Sequence, residues 1–244
     1  MAEPVELPQM GPAQQQSWLA LLDLYEKVNS EWTLIGGQLV HLHCAERGGS
    51  PARPTNDADT VVDIRASPQM LARFTGAMQE LGFTPETSGD GIQHRWRRDL
   101  AQIDVLIPEG VGERAAARVG AGGAPTISAP GTTQALRRSE SLAVKVGDRT
   151  GTVLRPSLVG ALIGKAAART EIAADRAVSR HCVDFVALAH LVSAQDFRLA
   201  DLTKRDRSRL HRMIACCRKD SSALAVDDAT EALDRLERAV TLNG

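Results

Sequence analysis

Every strand-like segment of this chain lies before Pro156, and every periodic segment beyond it has helical spacing. That asymmetry predicts an α+β chain in two parts, an α/β half over 1–155 and an all-helical half over 156–244. In the first part, Ser17 to Val28 carries Trp18, Leu21, Leu22, Tyr25 and Val28 at helical spacing, and Trp32 to Ile35 reads as a short strand running into Gly36 and Gly37. Gln38 to Glu46 then reads as helix, and Arg47 to Pro54 as a Gly/Pro-rich loop. Asp57 to Ile64 alternates polar with apolar and predicts a strand, and Pro68 to Leu81 predicts a helix ended by Gly82. Further strands fall at Gln93 to Arg97 and Gln102 to Ile107, with Asp99 and Leu100 as the turn. Gly110 to Gly131 reads as loop with one short helix near Ala115. A hairpin follows, Leu142 to Val146 with Thr152 to Leu154, closed by Gly147 and Asp148. The second part holds four expected helices: Ser157 to Glu171, Val183 to Ser193, Lys204 to Cys217 and Ala229 to Leu242.

Composition narrows the setting. With 244 residues, 43% hydrophobic and 24% charged, the chain has enough apolar material for a sizeable core. Only 3% is aromatic, so that core must be built from aliphatic residues, which favours helix. A net charge of -1 offers no global attraction to nucleic acid or to an anionic membrane, so any such attraction must be local. Cys44, Cys182, Cys216 and Cys217 form no regular framework, which fits a reducing cytoplasm. The first residues lack a basic stretch followed by an apolar one, and no segment approaches the ~20 apolar residues of a membrane span. A soluble, cytoplasmic protein is expected.

Three segments carry chemistry. In IGGQLVHLH, a strand ends in Gly36 and Gly37, where backbone can approach a ligand closely; with Gln38 they open a helix whose first amides can cradle phosphate. In RPTNDADTVVDI, Asp57 and Asp59 stand two apart on a strand, which puts both carboxylates on one face. Their repulsion is relieved if they share Mg²⁺, a hard cation that prefers oxygen. In QIDVLIP, Asp104 stands alone in an apolar strand, and a lone buried acid is costly unless paired or bound to metal. Two magnesium ions held by Asp57, Asp59 and Asp104 could clamp a nucleoside triphosphate and activate a hydroxyl for in-line displacement at the α-phosphorus.

These motifs, the glycine pair, the Asp57-x-Asp59 pair and the later Asp104, resemble the signature of the polymerase-β-type nucleotidyltransferase superfamily. More narrowly, Arg53-x-Thr55-x-Asp57-x-Asp59 with helices after residue 156 is similar to AbiEii-type toxins of bacterial toxin–antitoxin systems. The resemblance implies a mixed sheet flanked by helices, an all-helical C-terminal domain, and nucleotide contacts from Arg53 and Thr55. It also implies that Lys165, in GALIGKAAART, binds phosphate. Asp184, in RHCVDFVAL, would be its orienting partner or a late catalytic acid. The implied activity is transfer of NMP from an NTP to an acceptor such as the tRNA 3′ end, with a cognate antitoxin as partner.

Each signal has a plainer reading. A glycine pair alone marks a turn, and a DxD alone is common on exposed strands. Asp63 shares the parity of Asp57 and Asp59 but precedes Arg65 and a turn, so a solvent-facing acid is expected. His41 and His43 point to different helix faces and read as structural or surface, with Cys44 in the core. His94, Arg95, Arg97 and Arg98 are either a charge-protected edge strand or a contact to triphosphate or RNA. Lys165 could simply snorkel from an apolar helix. From Arg198 to Lys219, eight Lys and Arg face two Asp and no Glu, which suits either a phosphodiester backbone or a solvated helix. Two other functions stay open. One is nucleotidyl transfer to a small molecule of the aminoglycoside type, and the other is a non-catalytic nucleotide-binding module.

Overall fold

The computed structural model describes residues 3–171, 178–198 and 200–242. The chain opens with a two-residue strand β1 (Val5–Glu6) and helix α1 (Pro12–Lys27). This helix begins five residues before its apolar periodicity does, because Pro12 sits in its first turn, where a missing N–H is harmless. Then come β2 (Trp32–Ile35), α2 (Gly36–Arg47), β3 (Ala58–Val62), α3 (Met70–Glu80), β4 (Thr84–Glu86), β5 (Arg95–Arg98) and β6 (Ala101–Pro108). The left-handed Gly82 (φ 85°) ends the α3 turn, and Asp99 takes a positive φ of 51° in the tight β5–β6 connection. Short α4 (Glu113–Ala116), β7 (Ser128–Ala129) and α5 (Thr132–Arg137) lead to the hairpin of β8 (Ser139–Val146) and β9 (Arg149–Pro156).

After β9 the elements among the described residues are all helices: α6 (Leu158–Glu171), α7 (Val178–His190), α8 (Ala194–Arg198), α9 (Lys204–Cys217), α10 (Ser221–Leu224) and α11 (Ala229–Leu242). Among the described residues no helix is long and apolar enough to cross a membrane.

The main sheet runs β2-β3-β6-β5-β4, with β7 added beside the end of β6. It is mixed: β3 and β6 are parallel, and the other pairs along that path are antiparallel. β5 is therefore interior and β4 holds the edge, which corrects the expectation of a charged edge strand at 93–97. A second sheet, β1-β8-β9, lies with β9 beside β2 and against α1. The central strands are filled by Val61, Val62, Ile103 and Val105, all buried, and one apolar core continues from Leu7 to Val240 in α11. In α9 a capping box joins Thr203 and Asp206, which fixes where the basic segment starts its helix.

Candidate active site

The parallel register of β3 and β6 sets Asp59 directly beside Asp104, so the two carboxylates leave the sheet at one level and on one face. Asp57 precedes β3 by one residue and shares that face. Ligand oxygens of Asp57, Asp59 and Asp104 all lie within 4.8 Å of one another. On the other flank of β3, Asp59 is the register partner of Ile35, where β2 turns into α2.

That turn requires glycine for two reasons. Gly36 has φ 75°, and a Cβ there would fall 1.7 Å from Asp59 Oδ2. A Cβ on Gly37 would come within 2.7 Å of Thr55 Oγ1. The glycine pair thus lets the acid-bearing strand and the Arg53–Asp57 loop lie against the start of α2. Among the described residues no side chain caps that helix start. Gln38 departs from the expected cradle. It is 0% exposed, its amide donates to Thr55 O at 3.2 Å, and its Oε1 accepts from Trp18 at 2.8 Å and Gln14 at 2.9 Å. Its side chain braces α1, α2 and the loop, because α2 buries both of its flanks.

The three acids are unequally compensated. Asp57 accepts from Thr55 Oγ1 at 2.9 Å. Asp104 receives long bonds from Arg95 (3.3 and 3.4 Å) and Gln102 (3.2 Å), and the antiparallel register places Arg95 directly opposite it. Asp59, half-buried between them, is pushed up to about 7 by burial and by the charges of Asp57 and Asp104, with Lys165 opposing. An all-oxygen cluster short of positive charge fits a divalent cation such as Mg²⁺.

Across the site the helical part supplies a second cluster. Asp184 on α7 is 3% exposed and takes Arg53 Nε and Nη2 at 2.8 Å each, and Lys165 Nζ from α6 at 2.6 Å. Burial alone would raise its pKa, but Lys165 and Arg53 outweigh that and hold the carboxyl below its ordinary range. Lys165 is 7% exposed and ion-paired with Asp184, so it does not snorkel. A cavity of about 470 Å³ opens beside Asp59, Gly36 and Lys165 and runs between Ile35, Leu106 and Gly164. On the other side of the acids, a groove of about 400 Å³ is bordered by Arg53, Asn56, Asp57, Leu100 and Gln102.

Residues outside the motifs support this arrangement. His41 Nε2 donates to the Arg53 carbonyl at 2.8 Å while Nδ1 accepts from Gln14 at 3.1 Å. Burial lowers its pKa, consistent with a neutral ring that holds the loop. Arg95 and Gln102 likewise lie outside the motifs, although an isolated acid in β6 implies some partner across the strand. Asp63 pairs with Arg65 at 2.8 Å, away from the acidic cluster. His43 and Cys44 are buried, and Arg97 and Arg98 bond Glu86 and the Leu81 carbonyl.

The chain thus combines a mixed sheet, Asp59 and Asp104 on its two parallel strands with Asp57 just before the first, and packed helices that follow. A solved structure to which the chain is similar is an antigenic nucleotidyltransferase-like protein from Paracoccidioides brasiliensis. The TM-score is 0.50 at 14% identity, over 93% of this chain and 94% of that one, a likeness of fold. No protein-family model and no curated protein matches the chain.

Proposed function

We propose that the protein is a metal-dependent nucleotidyltransferase that moves NMP from an NTP to RNA, with the tRNA 3′ end as the preferred acceptor. The observation that carries this reading is the cluster of Asp57, Asp59 and Asp104 within 4.8 Å, bordering a cavity that also reaches Lys165. In this reading residues 1–155 are the catalytic domain and 156–244 a helical domain that closes over the nucleotide.

Asp57, Asp59 and Asp104 would hold the metal, one Mg²⁺ or two, which when bound neutralises charge on the triphosphate and on the attacking oxygen. The chain's own groups do the rest. The cavity beside Asp59 receives the nucleoside, and the uncapped amides at Gly36 and Gly37 face the phosphates. Lys165 offers an ammonium to a phosphate oxygen, and Asp184, an anion at neutral pH, orients it rather than donating a proton. Arg53 and Thr55 border the groove by which the acceptor arrives. The acceptor hydroxyl attacks the α-phosphorus as the bond to the β-phosphate oxygen breaks; its proton passes to Asp104, and pyrophosphate leaves.

The AbiEii-like motif Arg53-x-Thr55-x-Asp57-x-Asp59 extends the proposal to a growth-arresting toxin neutralised by a protein antitoxin. Incubation with labelled NTPs, Mg²⁺ and total RNA tests the chemistry. Label is expected on RNA of tRNA size, and the Asp57→Asn plus Asp59→Asn double variant should lose about 10³-fold or more of it. Label appearing only on small molecules, or none with any NTP, refutes RNA transfer.

A further inference from the structure

The exposed face of α9 has an unusual charge pattern. Its solvent-facing positions are Lys204, Arg205, Ser208, Arg212 and Ala215, continued by Lys219 just past the helix end. Three- and four-residue spacing lines them along one stripe of about 22 Å. The opposite side, with Leu210, Met213, Ile214 and Cys217, is buried against the neighbouring helices.

A merely solvated helix tends to interleave both signs, because opposite charges a turn apart attract. This stripe holds cations and small residues and no acid. Asp206 is turned inward to close the cap with Thr203, and Asp234 and Glu237 of α11 are taken by Arg218 on the flank. No carboxylate among the described residues pairs with Lys204, Arg212 or Lys219. The whole chain carries a net charge of only -1, so this is a local concentration and not a general basicity.

From this pattern we infer that the α9 face docks the phosphodiester backbone of RNA. The choice of RNA rests on the RNA-transfer reading above. A protein partner would call for apolar or aromatic anchors at the centre of the patch, and this stripe has none. Backbone recognition needs only long cations with room between them, which Ser208 and Ala215 provide. α9 packs directly on α6, the helix that carries Lys165, so the docking face and the reacting site share one support.

The test is filter binding of labelled bulk tRNA to the full chain across a salt series. The triple reversal Lys204→Glu, Arg212→Glu and Lys219→Glu should weaken binding at least 30-fold. It should also flatten the dependence of log affinity on log salt by about 2 to 3, one unit or slightly less per lost phosphate contact. Nucleotide binding and the thermal melt should stay at wild-type values. A control of equal charge change, Lys27→Glu, Arg73→Glu and Arg114→Glu, should retain most of the affinity. Wild-type RNA binding by the first triple, or equal losses in both, overturns the assignment. RNA held by a wild-type protein that adds no nucleotide to it would refute transfer and leave the docking face standing.

Discussion

The floor and the wall of the site treat an aspartate in opposite ways. On the floor, Asp59 lies between Asp57 and Asp104 and is pushed up to about 7. On the wall, Asp184 holds two cations at 2.6 to 2.8 Å and is kept below its ordinary range. The wall's carboxylate is fully compensated without any ligand, by two cations to one acid. The floor is not, and the charge it lacks is what a divalent cation would bring. A fold gains nothing in stability by setting three acids within reach of one another, so the deficit is best explained by what the site binds.

If this contrast is right, deleting an acid should have opposite consequences in the two places. Asp184→Ala leaves Lys165 and Arg53 without their carboxylate, and unfolding in urea should show a loss of about 3–5 kcal/mol. A loss below about 1 kcal/mol would mean the wall is not held by its ion pairs. Asp59→Asn should instead stabilise the metal-free protein at pH 8. The folded pKa of Asp59 is raised, so its favourable contribution is present below about pH 4 and is lost as pH rises through about 7. The variant lacks that term. Its advantage over wild type should grow between pH 4 and 7 and level off above, reaching on the order of 2 kcal/mol after allowance for partial exposure. Adding Mn²⁺ should shrink the difference. An advantage independent of pH, or none, would show that Asp59 is not the uncompensated acid.

Floor and wall also differ in how far the sequence discloses them. The strand parity of Asp57 and Asp59 is local, and Asp104 stands out as a lone acid among Ile103, Val105 and Leu106, so the triad is legible from residue order alone. The register that seats Asp59 beside Asp104 is not, since it depends on which strands become neighbours. The wall joins Arg53 to Asp184 across 131 residues, a pairing no spacing rule contains. Its members emerge from family resemblance, which pairs Lys165 with Asp184 but leaves Arg53 apart from them. Gln38 defeats a reading from periodicity because α2 is buried on nearly all sides, so spacing does not say which residue faces the ligand. The long helices and central strands are legible from periodicity. β1, β4, β7 and α10 are not, being two to four residues long and too short for any period to show.

Arg95 gives the finest test of the comparison, because it is the cation that hydrogen-bonds an acid of the floor directly. Its bonds to Asp104, at 3.3 and 3.4 Å, are longer than any on the wall, and its side chain is 36% exposed. Such a contact offsets repulsion among the acids weakly and yields readily to a stronger cation. Arg95→Gln should therefore tighten Mn²⁺ binding by about fivefold, measured by calorimetry on the protein alone, with the gain fading at high salt. Asp104 would keep a neutral donor from Gln102, so its orientation should survive the change. Weaker metal binding in this variant would reverse the assignment: Arg95 would then be a brace that aims Asp104, and the floor would be as complete in its own way as the wall.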